Sequence, residues 1–496
     1  MSQKMNWIFD CLRRFWQVGL LLICMQMLTA CVNAGLKPDA TALNERLENW
    51  TQRDFKHAIS GGEIQNRSEQ GWWLQMQLPE LNIWIQTALE NNTDLRASLS
   101  RLMQARAQAG VAQASRMPVV YGSMSSSQTN GGSQAMNLMG TTNGTIRDQL
   151  NIQMSYEFDF WNKREFSIES ALHQVQSNEY GVESYKLSLI AEVAANYFKA
   201  VSLRERLALN QKMMSMARKN SLDIKRKLEL GEATQVMLSQ QLIFEQGLMT
   251  QSQDLQIQLE QSLNQLSYLI GSHGQALPSI SHDLTSVALP KPDVVKPAEL
   301  LCRRPDLKQA EADLMAANAD VAVARTLLLP GTAINLNAGQ IGAGLAGLTS
   351  GPNVFLQSAL SASQLIFDGG ARRQAISVSE ARRTELIERY AGAVLAALRD
   401  TESALVGVQK TTEKLTWLES NRAEAQRLAL QMQVMLERGG LDFAQLIQIQ
   451  TTVYNAEDAA VSGALERILT QIDLYKALGG SPKQGSQDCL KIRSRS

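Results

Sequence analysis

The chain of 496 residues carries no net charge, because 48 Lys and Arg balance 48 Asp and Glu. Nucleic-acid binders show a basic excess, so that class is disfavoured. Cysteine is scarce: Cys11, Cys24, Cys31, Cys302 and Cys489 are the five. They form no CxxC and no paired Cys/His spacing, which argues against structural zinc. The four histidines, His57, His173, His273 and His282, are scattered, and HExxH, GxSxG and the P-loop are all missing. No catalytic constellation is assembled, so the chain does not read as an enzyme, and no cofactor or metal is expected. Long apolar runs are missing too. A mean hydropathy of −0.18 is too low for a polytopic helical membrane protein.

The one apolar run, Phe15 to Leu28, follows Arg13 and Arg14 and precedes Leu28-Thr29-Ala30-Cys31. A basic start, a short apolar core and small residues before a cut make a secretory signal over residues 1–30. The run is shorter than the roughly 20 residues of a membrane-spanning helix. Leu-Thr-Ala-Cys resembles the bacterial lipobox, which implies that Cys31 is acylated and begins the mature chain. Val32 follows the cysteine where Asp would retain a lipoprotein in the inner membrane, so the resemblance implies an outer-membrane address. The mature chain then holds 45 basic and 47 acidic residues.

Proline is missing from two long stretches, between Pro118 and Pro278 and between Pro352 and Pro482. Proline breaks helix interiors, so each stretch can hold an uninterrupted helix. Pro278, Pro290, Pro292, Pro297 and Pro305 cluster between them and mark a linker over 272–304.

The two sides of this linker match. Asp94-Leu95, Leu102-Met103, Val111-Ala112 and Pro118 recur as Asp306-Leu307, Leu314-Met315, Val323-Ala324 and Pro330, an offset of 212. Phe158-Asp159 and Arg164 recur as Phe367-Asp368 and Arg373 at an offset of 209. Leu228-Glu229 and Gly231 recur as Leu436-Glu437 and Gly439 at 208. Ile270-Gly271 and Leu478-Gly479 close the halves. So small a drift marks an internal duplication. The layout is a signal (1–30), an N-terminal segment (31–92), repeat 1 (93–271), the linker (272–304), repeat 2 (305–480) and a tail (481–496).

Each repeat begins with an Ala-rich helix, 94–117 or 306–329, that stops at proline. A strand hairpin follows, at about 119–160 and 332–367. Leu150, Ile152, Met154, Tyr156, Phe158 and Phe160 alternate with Asn151, Gln153, Ser155, Glu157 and Asp159. This two-faced pattern has the length of a tilted transmembrane strand. A soluble sandwich strand alternates in the same way, and the pattern leaves both open. Then come helices expected at 163–230 and 372–438, each ~100 Å long at 1.5 Å per residue. Ile190, Val193, Tyr197 and Ala200, and Ala391, Val394, Leu398, Leu405 and Val408, form heptad seams. Turns at Gly231 and at Gly439-Gly440 lead into shorter returning helices. Four strands per chain cannot close a membrane barrel, whose minimum is about eight, and eight leave a lumen filled by side chains. Three chains are the smallest number that could conduct.

Leu300-Leu301-Cys302-Arg303-Arg304-Pro305-Asp306-Leu307 is similar to the LLxRRPDI signature of the TolC-like outer membrane factor family. Trp72-Trp73, Leu78-Pro79-Glu80-Leu81 and Asn91-Asn92-Thr93-Asp94-Leu95 resemble a second family run, and Phe367-Asp368-Gly369-Gly370 with Arg372-Arg373 a third. With the lipobox, the likeness points to the lipid-anchored NodT/OprM-like efflux lipoproteins.

The resemblance implies an α+β fold of mainly long α-helices, duplicated as a strand hairpin plus a helical hairpin. It implies a homotrimer with a 12-strand β-barrel in the outer membrane and an α-helical barrel in the periplasm. Its partners would be a periplasmic adaptor and an inner-membrane pump, which supplies the energy, and its cargo drugs, solutes or metals. The helix turns at Gly231, Gly439 and Gly440 would meet the adaptor. Many family members carry aspartates six and nine residues beyond the second turn's glycine, as an acidic ring at the aperture. Here those positions are Gln445 and Gln448. Arg303, Arg304 and Asp306 read as helix-start structure around Pro305. Cys302 and Cys489 would both face an oxidising periplasm and are a candidate disulfide. A type I secretion outlet and a non-conducting, lipid-anchored coiled-coil scaffold remain alternatives.

Overall fold

The computed structural model describes residues 41–52, 54–55, 71–129, 145–272, 280, 283–284, 287–289, 296–342, 354–437 and 443–480. The signal segment, Cys31, Gly439, Gly440 and Cys489 lie outside the described residues. The elements run α1 (Thr41–Thr51), a 3-10 turn (Trp72–Met76), α2 (Pro79–Asn91), α3 (Thr93–Ala114), β1 (Val119–Thr129), β2 (Thr145–Phe158), α4 (Lys163–Glu229), α5 (Gln235–Leu269), α6 (Pro297–Arg303), α7 (Pro305–Thr326), β3 (Gly331–Gly342), β4 (Val354–Ser363), α8 (Ala371–Glu437) and α9 (Phe443–Ala477). Both long helices are continuous over 67 residues, as the missing prolines allow.

The chain divides into two compact units. One comprises 107–174 and 313–388 with the N-terminus to 47; the other comprises 48–106, 175–312 and 389–496.

The first unit holds one antiparallel sheet in the order β1-β2-β3-β4. Its two inner strands come from different repeats, and Met154 lies opposite Leu336. The expected strand ending at Phe160 is corrected: β2 stops at Phe158. The reason is local. Asp159 turns away from the ladder and accepts the backbone N–H groups of Lys163 (2.8 Å) and Arg164 (2.9 Å), capping α4. Asp368 does the same for α8, accepting from the backbone N–H of Gly370 (2.9 Å) and Arg372 (3.0 Å). These contacts hold its carboxyl below the usual range. The repeated Phe-Asp is therefore a strand end plus a helix cap, and β4 likewise ends at Ser363, short of Phe367. Arg116–Glu165 (2.7 Å) and Arg325–Glu380 (2.8 Å) bridge the end of each short helix to the start of each long one. Such exposed pairs are worth at most ~1 kcal/mol each.

The second unit contains the main core. Trp84, Tyr197 and Phe198 are buried with Val193, Ala194 and Ala200 of the α4 seam. Each large side chain contributes about 1.5–3 kcal/mol. Trp72 stacks on Tyr475, with centroids 5.1 Å apart and planes 6° from parallel. The seam of α8 is buried at Ala391, Val394 and Leu405. The end of the expected linker is ordered structure: α6 buries Leu300, Leu301 and Cys302.

The repeats close in the same manner. Gly271 (φ +65) and Gly479 (φ +83) end α5 and α9 in the left-handed region. A Cβ on Gly271 would lie 2.4 Å from the Asn91 carbonyl oxygen, and one on Gly479 would lie 3.0 Å from that of Arg303. Asn91 and Arg303 occupy equivalent places, 212 residues apart. Only glycine provides both the backbone conformation and the close approach.

Candidate functional site

The sheet presents two chemically different faces. Side chains alternate along each strand, and directly opposed residues share a face. One face carries Leu150, Ile152, Leu336, Leu356 and Leu360. Leu356 is 80% and Leu360 76% exposed, and Val120, Met124 and Ile152 are exposed as well. Among the described residues no second sheet packs on this face, so a sandwich core does not account for its apolar side chains. The other face is polar, with Gln149, Asn151, Gln153 and Ser155 from β2 opposed by Asn335 and Asn337 from β3. In chain order the sheet ends at β1 and β4, whose outer edges carry no partner strand among the described residues. In lipid every strand edge must be paired, so edges of this kind call for further strands.

The base of the sheet is fastened to the helices. Trp161 Nε1 donates to the Pro330 carbonyl at 2.7 Å, and Arg372 donates to the Leu327 carbonyl. Phe158 and Phe160 lie in contact, with centroids 6.0 Å apart, and Phe160 and Phe367 are exposed. Aromatic side chains at the end of an apolar band suit a membrane–water boundary.

At the far end of α4, Gly231 is positioned by a bond from Glu232 N–H to the Lys227 carbonyl, at 2.8 Å. Gln445 and Gln448 are both exposed in the first two turns of α9. Their spacing places them on one helix face. Between the hairpins, Arg206 Nε and Nη2 donate to Asp458 at 2.7 and 3.1 Å, and Asn220 Nδ2 donates to Gln450 Oε1 at 3.1 Å.

Arg304 is structural, as its place before Pro305 predicts. It binds Asp306 through two bonds of 3.0 and 2.7 Å and donates to the Ala477 carbonyl at 3.2 Å. Arg303 pairs with Glu299 at 3.1 Å within α6. Cys302 is buried and disulfide-bonded, with its partner outside the described residues.

Residues 84–272 and 297–480 match the outer membrane efflux protein family. The chain belongs to that family. The gap between the two matched blocks, residues 273–296, falls inside the expected linker, so the match follows the duplication. The chain is 31% identical over 421 residues to the pyoverdine export outer membrane protein OpmQ of Pseudomonas aeruginosa, covering 84% of this chain and 88% of that one. It is 28% identical over 417 residues to the outer membrane protein OprJ of the same organism, covering 82% and 85%. Its fold resembles the CmeC outer membrane channel of Campylobacter jejuni, with a TM-score of 0.80 at 21% identity over 88% of this chain and 94% of that one. This outer membrane efflux protein is therefore the outer-membrane channel component of an efflux system.

The two faces of this efflux protein's sheet were only partly legible in the sequence. Asn151, Gln153, Asn335 and Asn337 were visible through alternation. Tyr121 and Gln357 were not, because β1 and β4 are too irregular to show a face. Only their pairing opposite Gln153 and Asn337 places them there. Arg206 and Asp458 gave no sequence signal at all.

Proposed function

We propose that three copies of the chain assemble into a passive export duct, with β4 of each copy pairing to β1 of the next in a closed barrel of twelve strands. The observation that carries this is the four-stranded sheet, with an exposed apolar face, an opposite polar face and two edges that have no partner strand among the described residues. Eight strands would leave a lumen filled by side chains, whereas twelve leave room for solutes. The apolar face then meets lipid, and the long helical hairpins continue the conduit into the periplasm. An acyl group on Cys31 anchors the chain in the outer membrane. A periplasmic adaptor engages the helix turns at Gly231, Gly439 and Gly440 and links them to an inner-membrane pump. Gln445 and Gln448 of three copies line the inner aperture as a ring of amides. The cargo is drugs, other solutes or metals. The likeness to OpmQ makes pyoverdine export the first activity to assay, in a deletion strain with and without the gene.

Cys489 is the partner we assign to Cys302. Gly479 already lies against Arg303, next to Cys302 in the chain. The tail needs only the residues from Gly480 to Cys489 to return, and extended chain reaches ~3.3 Å per residue.

The decisive experiment is a planar-bilayer recording on the purified protein together with its subunit stoichiometry by native mass measurement. Conducting trimers are the expected result. A monomer that never conducts would leave the coiled-coil scaffold as the better reading.

A further inference from the structure

The four strands contain only three acidic or basic side chains, Arg147, Asp148 and Glu157, all on β2 towards its ends. The two-residue period puts Arg147 and Glu157 on the polar face and Asp148 on the other. Glu157 lies 3.6 Å from the Lys163 ammonium at the start of α4. Between these ends the polar face has no charge.

Amides and a phenol occupy it instead, beside the ring of Phe355, which lies over Gly339 on the same face. One row across the sheet reads Tyr121, Gln153, Asn337, Gln357, each directly opposite the next. Asn151 and Asn335 flank this row on the same face. Both repeats therefore contribute amides at one level. The Oδ1 atoms of Asn151 and Asn337 accept no hydrogen bond. These two oxygens are buried within the sheet face, and an amide holds donors and an acceptor on one side chain without carrying charge.

We infer that this row is a neutral hydrogen-bonding girdle, which selects exported solutes by polar contact and not by the sign of their charge. The inference rests on the channel reading, which turns the polar face to the lumen. A ring of carboxylates or ammonium groups concentrates one sign of ion and repels the other. Amides and phenols donate and accept without that bias. The favoured cargo is organic molecules rich in hydroxyl, amide and carbonyl groups, whether neutral, zwitterionic or singly charged. Contacts of this kind are weak enough to release the solute, as conduction requires.

The test uses the full-length protein reconstituted in lipid. Asn337→Cys places a thiol in the row, and Leu336→Cys places one on the apolar face. Each is reacted with a cationic and an anionic methanethiosulfonate, with labelling read by mass at that peptide. Rates are normalised to those of a small free thiol. Asn337→Cys should react with both reagents at rates agreeing within about threefold, and adding Asn151→Asp should raise the cationic-to-anionic ratio about tenfold. Leu336→Cys should react slowly with both. If Asn337→Cys does not fold, Gln357→Cys probes the same row from the edge strand. A ratio beyond about threefold in the protein without added charge would overturn neutrality. Faster labelling of Leu336→Cys than of Asn337→Cys would overturn the assignment of faces. Bilayer conductance of the same preparation separates the two levels. Absence of conductance sinks the duct itself, and conductance with skewed labelling sinks only the girdle.

Discussion

The side chain of Asn92 donates from Nδ2 to the Leu269 carbonyl at 2.9 Å, and its Oδ1 accepts the Leu95 backbone N–H at 2.8 Å. It caps α3 and ties that cap to the end of α5 in one buried contact. In the second repeat the equivalent position is Arg304, whose Nη1 donates to the equivalent carbonyl, that of Ala477. The duplication has kept the contact and changed the donor. Tyr185 donates to Asn92 Oδ1 at 3.3 Å, and Tyr268 donates to Asp94 at 2.9 Å. Burial, and then Asp94, push the Tyr185 phenol up to about 12, so this network keeps its protons at neutral pH.

Asn92→Ala removes a cap and a buried donor, and should cost about 1–3 kcal/mol. Arg304→Ala, which removes a mostly buried guanidinium with its bonds to Asp306 and to the Ala477 carbonyl, should cost about 1–3 kcal/mol. Arg304→Lys should recover only part of that, because an ammonium cannot form the two-bond fork to Asp306. Urea midpoints of the purified protein test the order, with Arg304→Ala expected below Arg304→Lys and both below the parent.

Gln445 and Gln448 carry no charge, so an aperture lined by them should be weakly blocked by divalent cations. The double substitution Gln445→Asp, Gln448→Asp should introduce strong block by Mg2+, relieved by acid as the carboxylates protonate near pH ~4. Single-channel recordings read both effects. Strong, acid-reversible block in the unsubstituted channel would mean that another acidic ring controls the aperture.

The proposed Cys302–Cys489 bond predicts one cross-linked peptide pair in a non-reducing digest. Cys489→Ser should lower stability by about 2–4 kcal/mol, the usual contribution of a cross-link to a folded chain. Free thiols at both positions in protein isolated without reductant would remove the pairing.

Glu205 is half-buried, and its Oε1 accepts the Leu284 N–H at 2.6 Å. Burial raises its pKa above the ordinary 4.5, opposed by the Leu284 bond and assisted by the charge of Asp283. The fold therefore favours the protonated form. The stabilising contribution is complete below the unfolded-state pKa and is lost as pH rises through the higher folded-state value. Glu205→Gln stays neutral and keeps the acceptor. It should melt above the parent at pH ~8 and together with it at pH ~4. Equal melting temperatures at both pH values would show that Glu205 ionises without penalty.

Local chemistry wrote much of this protein into its sequence. Two proline-free stretches permit the 67-residue helices, since nothing in them removes a helical N–H. The offsets between Asp94 and Asp306, and between Asp159 and Asp368, reveal the duplication, because each repeat reuses the same helix starts. Alternation from Leu150 to Phe158 exposes both faces of β2. At Phe160 the same alternation misled, because a residue pattern does not show that Asp159 has left the ladder to cap a helix.

Tertiary structure alone decided the partners. β2 pairs with β3 across the two repeats, and this register sets Tyr121, Gln153, Asn337 and Gln357 in one row. Arg206 meets Asp458 across 252 residues of sequence. Periodicity states which face a residue occupies but not which distant strand or helix will lie opposite. That choice is made by the packed core and by backbone hydrogen bonds between segments that are remote in the chain.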